Sequence, residues 1–108
     1  MAMYLTRFSY TPDTWAHLIQ KPEDRRHAAR DYIESVGGKL HGFWYAFGER
    51  DGVTLWEAPD DVSMAAVALA IGAGGALSTI ETTPLLEVEE LLEALRKAQS
   101  VRYRPPGT

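Results

Sequence analysis

The chain predicts an α+β fold on a four-stranded antiparallel sheet, and three observations carry that expectation. Stretches rich in aromatic and β-branched residues alternate with stretches of helical periodicity, in the order β-α-β-β-α-β-α. The two middle strands are separated only by Gly48-Glu49-Arg50-Asp51-Gly52, a hairpin connection, whereas helices separate the others. The 108 residues, 45% hydrophobic and 24% charged, suffice for one globular core and no second. Two right-handed crossovers sharing one antiparallel sheet give a ferredoxin-like βαββαβ arrangement with an extra C-terminal helix.

Each element follows from local chemistry. Tyr4 to Tyr10 reads as the first strand, rich in aromatic and β-favouring residues. Thr11-Pro12-Asp13 then opens a helix, with Thr11 as cap, Pro12 at the first helical position and Asp13 at the positive dipole end. Trp15, Leu18 and Ile19 form its inner face, and Lys21-Pro22 breaks it. A second helical segment starts at Glu23-Asp24, turns Ala28, Ala29, Tyr32, Ile33 and Val36 inward, and stops at Gly37. Arg25, Arg26 and Arg30 are expected on its outer face. Leu40 to Phe47 and Val53 to Ala58 are the hairpin strands, with the glycines at the turn supplying positive φ. Pro59-Asp60-Asp61 caps a helix over Val62 to Ile71, apolar on nearly every face and so expected to be covered all round. Gly72-Ala73-Gly74-Gly75 ends it; because this group follows a helix and precedes a strand, it cannot serve as a phosphate loop. Ala76 to Thr83 reads as the fourth strand. Pro84 is expected to start the last helix, with Val88, Leu91, Leu92, Leu95 and Ala98 on one face. Residues 1–108 form one domain with its core at 3–98, and residues 99–108 are a loose or strapping tail.

The hairpin raises a packing problem. If the strands alternate, His41, Phe43, Tyr45 and Phe47 share one face and Leu40, Gly42, Trp44 and Ala46 the other. Helices cover only one side of such a sheet, yet both sides carry large apolar groups. Burying one aromatic side chain is worth about 1.5–3 kcal/mol. A face-to-face homodimer, a dimeric α/β barrel, therefore resolves the conflict better than a wet sheet.

Composition excludes several functions. Net charge is −4, and no basic run exists, so nucleic acid is not an expected partner. Cysteine is absent, which removes disulfides and thiolate chemistry and accords with a cytoplasmic location. The longest apolar run, Met64 to Ile71, is too short to span a bilayer, so no membrane role is expected. The three histidines show no metal-binding spacing, and neither a metal nor a cofactor is expected.

Several short segments together resemble one known family. They are Ser9-Tyr10-Thr11-Pro12, Val36-Gly37-Gly38-Lys39-Leu40, Tyr45-Ala46-Phe47-Gly48-Glu49, Asp51, Pro59-Asp60-Asp61 and Glu81-Thr82-Thr83-Pro84. Over residues 3 to 98 the chain resembles the GYD domain family, small bacterial and archaeal proteins of the dimeric α/β-barrel group. The resemblance implies the fold and the face-to-face dimer, and little chemistry. In the turn that names the family, Arg50 stands where tyrosine is usual, so no role of that tyrosine transfers; Gly48 and Asp51 read as turn residues.

The candidate site rests on few residues. His41 and Tyr45 fall two positions apart, which directs both toward one compartment, where His41 can move a proton near neutral pH. Arg7, mid-strand, needs an anionic partner; Glu57 or Glu81 can pair with it, or it can clamp an anionic ligand. Trp44 and Trp56 can stack on a ring, and Glu81 and His17 complete the ligand-binding candidates. Two functions stay open: a homodimeric protein binding a small aromatic or anionic molecule between sheet and helices, and a cofactor-independent monooxygenase, isomerase or cyclase. In the second, His41, Tyr45 and Arg7 are catalytic and must open into one cavity. Haem on His17 or His41 is a third reading.

Overall fold

A computed structural model describes residues 1–108. In chain order the elements are β1 (Ala2–Tyr10), α1 (Pro12–Gln20), α2 (Arg26–Glu34), β2 (Lys39–Tyr45), β3 (Gly52–Ala58), α3 (Asp61–Ala73), β4 (Leu77–Leu85) and α4 (Val88–Ala98). The sheet runs β2-β3-β1-β4 with every pair antiparallel, the order the two crossovers require. The expected caps form. Thr14 N–H donates to Thr11 Oγ1 at 3.1 Å, Ser63 N–H to Asp60 Oδ1 at 2.8 Å, and Gly37 takes φ +83° beyond α2. No helix is long and apolar enough to cross a membrane.

Because β1 is central, its alternation sorts the sheet. Tyr4, Thr6, Phe8 and Tyr10 face the helices and are buried. Through the register they are joined on that side by Thr54, Trp56 and Ala58 of β3 and by Ile80 and Thr82 of β4. Tyr4, Trp56, Ala58, Ile33 of α2 and Val67 of α3 make the core cluster, with the Tyr4 and Trp56 rings 5.3 Å apart. The Tyr4 hydroxyl donates to Asp61 Oδ1 at 2.6 Å, tying β1 to the first turn of α3.

Four expectations are corrected. A bulge between Leu40 and Gly42 adds one residue to β2, so Leu40, Phe43 and Tyr45 face the helices while Gly42 and Trp44 face the other way. His41 leaves the Tyr45 face and instead bonds Glu57 Oε1 at 2.8 Å on the open side. β2 ends at Tyr45, and the positive φ of the turn falls on Phe47 (φ 53°) rather than on Gly48 or Gly52. Gly52 is required for space instead, since a Cβ there would meet the Phe8 ring at 2.4 Å. Finally, Pro84 lies within β4, opposite Tyr4, and α4 starts only at Val88. Proline is tolerated there because β4 is an edge strand.

The other sheet face has no helix over it. Met3 and Leu5 of β1, Val53 and Leu55 of β3 and Trp44 of β2 lie there, Trp44 being 54% exposed. α4 is likewise uncovered: Val88, Leu91, Leu92 and Leu95 line one stripe and all are exposed. The radius of gyration is 17.5 Å, against about 13 Å for a compact chain of this length. Within the single chain Val62 and Leu69 of α3 also face outward and are exposed.

Burial, reinforced by the bond to Asp61 and the charges of Asp61 and Asp60, pushes the Tyr4 phenol from 10.0 up to about 12. The folded state therefore favours protonated Tyr4. Its contribution is complete below pH 10 and is lost as pH rises from 10 toward 12. Denaturant melts across this range should show stability falling with pH, and Tyr4→Phe should flatten that fall while lowering stability at pH 7.

Candidate functional site

A cavity of about 340 Å³ lies between the sheet and the helix pair α2/α3. Phe8, Tyr10, Phe43 and Trp56 of the sheet and Tyr32 of α2 supply its aromatic wall. From the α3 side it meets mostly small residues, Ala68, Ala70, Gly74 and Ala76, which leave the space open. Arg25, just before α2, is the cation among the lining residues. It lines the cavity rather than only the outer helix face expected for it, and it bonds Glu23 Oε2 at 2.6 Å. Burial works against the Arg25 charge, but Glu23 and the neighbouring Tyr10 and Tyr32 phenols outweigh it and raise the guanidinium pKa. Burial likewise pushes the Tyr32 phenol up, with Arg25 opposing. Tyr10 is raised still more, by burial and by its hydrogen bond to the Tyr45 hydroxyl at 3.1 Å. Both phenols thus stay neutral around pH 7.

A polar line crosses this aromatic floor. Thr54, Thr6 and Thr82 are register partners on β3, β1 and β4, and all three line the cavity. Trp56 Nε1–H donates to Thr6 Oγ1 at 2.8 Å, and the Thr6 and Thr82 hydroxyls are 2.9 Å apart.

The sequence candidates are dispersed around this cavity. Trp56 lines it, and Tyr45 adjoins it through Tyr10. Trp44 lies on the open sheet face, packed over Gly42, where a Cβ would meet its ring at 2.2 Å. Arg7 is exposed on that same face, opposite Val53 and Glu81, and it pairs with neither expected carboxylate: Glu57 is held by His41 and Glu81 by the Arg50 guanidinium. Arg7, Arg50 and Glu81 border a second cleft of about 320 Å³, more polar than the first. His17 is exposed on α1. Within the chain, His41 and Arg7 are therefore on one side of the sheet and Tyr45 on the other. They do not open into one cavity. No three histidine or carboxylate side chains gather as metal ligands. Sequence reasoning missed Tyr10, Tyr32, Phe43, Arg25 and the three threonines. The period-two pattern Tyr4-Thr6-Phe8-Tyr10 held the one available signal, a hydroxyl among inward aromatics.

With the geometry in view, the comparisons are direct. A family model described as the GYD domain matches residues 4–95. The chain belongs to the GYD domain family. No curated protein matches the sequence. Among solved structures, an uncharacterized NIPSNAP domain protein from Burkholderia xenovorans has a TM-score of 0.51 at 15% identity, over 82% of this chain and 95% of that one. That likeness supports the α+β fold alone.

In this GYD domain the aspartate of the family turn does more than shape a hairpin. Asp51 Oδ2 accepts from Tyr10 N–H at 3.0 Å and from Trp15 Nε1–H at 3.1 Å, and Asp51 N–H donates to Phe8 C=O at 2.9 Å. One carboxylate thereby joins the hairpin, the end of β1 and α1. It also positions Trp15 in T-shaped contact with Tyr10, centroids 5.0 Å apart, at the cavity's end. Asp51→Ala leaves two N–H donors unpaired and should lower unfolding free energy by about 1.5–3 kcal/mol in chemical denaturation. Asp51→Asn, which keeps one acceptor oxygen, should lose less.

Proposed function

We propose that this GYD protein is a small homodimer that binds a flat, mainly apolar molecule with an anionic group in the cavity between sheet and helices. The observation that carries the reading is the cavity itself, aromatic on its walls with a single cation, Arg25, among its lining. Its volume lies at the lower end of the range typical of small-molecule sites. A ring would stack against Phe8, Phe43 or Trp56, and a carboxylate or phenolate would reach Arg25 in competition with Glu23. Dimerisation is supported by the apolar groups of the open sheet face and by the uncovered stripe of α4.

The enzymatic alternative requires a group at the cavity that exchanges a proton near neutral pH. The ionisable groups there are Arg25, Tyr10 and Tyr32, all with raised pKa and all fixed in their protonated forms at pH 7. Binding without proton transfer is the reading this favours.

Three measurements test it. Thermal denaturation with 2-naphthoate should show stabilisation of about 2.7 kcal/mol once ligand reaches a hundredfold excess over Kd. Arg25→Gln should weaken naphthoate binding about tenfold and leave naphthalene binding unchanged. Absence of any shift at millimolar naphthoate, or equal loss for both compounds, would refute the site. Light scattering should give twice the chain mass of 12.0 kDa, and Leu55→Glu on the open face should yield monomers. A wild-type mass of one chain at micromolar concentration would refute the dimer.

A further inference from the structure

We infer that the line of Thr54, Thr6 and Thr82 recognises a carbonyl oxygen, so that the ligand is a flat ketone or quinone whose C=O points at the sheet. This rests on the cavity being the binding site and names what its floor selects. The three residues come from adjacent strands in direct register and share the helix-facing side. Thr6 and Thr54 are each only 5% exposed, and both line the cavity.

Counting protons shows what the floor lacks. Thr6 Oγ1 accepts from the Trp56 indole, and one hydrogen bond joins Thr6 to Thr82. Whichever hydroxyl donates in that bond, the pair holds two protons and uses one. A second donor is spare at Thr54, whose hydroxyl makes no hydrogen bond within the chain although the residue is buried. Thr6 and Thr82 have folding roles, as the acceptor for Trp56 and as partners of each other; the Thr54 hydroxyl has none that valine would not fill, and valine carries no polar group to desolvate. Two spare donors beside an aromatic wall match the two lone pairs of a carbonyl oxygen.

The test compares 1-tetralone with tetralin, which share a bicyclic skeleton and differ at one C=O, so that both are neutral and neither engages Arg25 by charge. Dissociation constants are measured by titration calorimetry for the wild type, Thr54→Val, Thr82→Val, the double variant and Thr54→Ser. The ratio Kd(tetralin)/Kd(tetralone) should fall about tenfold in Thr54→Val and in the double variant, and hold both in Thr54→Ser, which keeps the hydroxyl, and in Thr82→Val, which leaves the Thr6 proton free to donate. Thr6 is left intact so that Trp56 keeps its partner, and Thr54→Val carries the test if the double variant does not fold. If both compounds bind and the ratio is the same in the wild type and the valine variants, the threonine line does not read the carbonyl and only the cavity reading survives. If neither compound binds the wild type up to its solubility limit, the cavity reading falls and this inference with it.

Discussion

Because β1 pairs with β3 on one side and β4 on the other, its two-residue alternation decides which side chains of the inner strands meet the helices. Tyr4, Thr6, Phe8 and Tyr10 go inward, and beyond the Ala2–Ala58 pair the rows of the helix-facing surface are built outward from them. The row through Tyr4 is core, closed by Ile33 and Val67. The row through Thr6 is polar, and the rows through Phe8 and Tyr10 are aromatic. What α3 presents is mixed: Val67 and Ile71 both pack on the core and line the cavity, while Ala68 and Ala70 leave room beside them.

A well-packed core would fill that space, since packing density in folded proteins leaves few voids larger than water. Here the aromatic rings instead brace one another along the rim. Phe8 meets Phe43, Phe43 meets Tyr45, and Tyr45 meets Tyr10 and Phe47, all with centroids within 6.4 Å. Asp51 anchors the far end of this chain of rings by holding Trp15. The wall is thus held by contacts within the chain, the kind of preorganisation that lowers the cost of binding.

Much of this fold was legible. Caps and stops are local chemistry, so Thr11, Asp60 and Gly37 act as the sequence implies. The element order and hairpin led to the sheet topology, since chain-crossing rules leave few alternatives. What was not legible depends on partners distant in sequence. An extra residue at His41 is invisible to an alternation count, which assumes an unbroken ladder, and it reassigned the face of the principal catalytic candidate. Arg7 lost its expected partners because His41 and Arg50 reach those carboxylates first. Pro84 reads as a helix start in isolation, and only the edge position of β4 admits it to a strand. The threonine line joins residues up to 76 positions apart, so no window along the chain contains it.

The bulge at His41 has one more implication. Ordinarily an edge strand is where a chain can gain or lose a residue cheaply, being paired on one side alone. Deleting His41 would restore an even ladder and leave Phe43, Trp44 and Tyr45 on the faces they now occupy, because Leu40 and Gly42 already pair with the consecutive residues Trp56 and Leu55. The site would keep its wall, and only the imidazole that holds Glu57 on the open side would be lost. Among descendants of such a sequence, this one point of the periphery can shorten by a residue while the interior rows stay in phase.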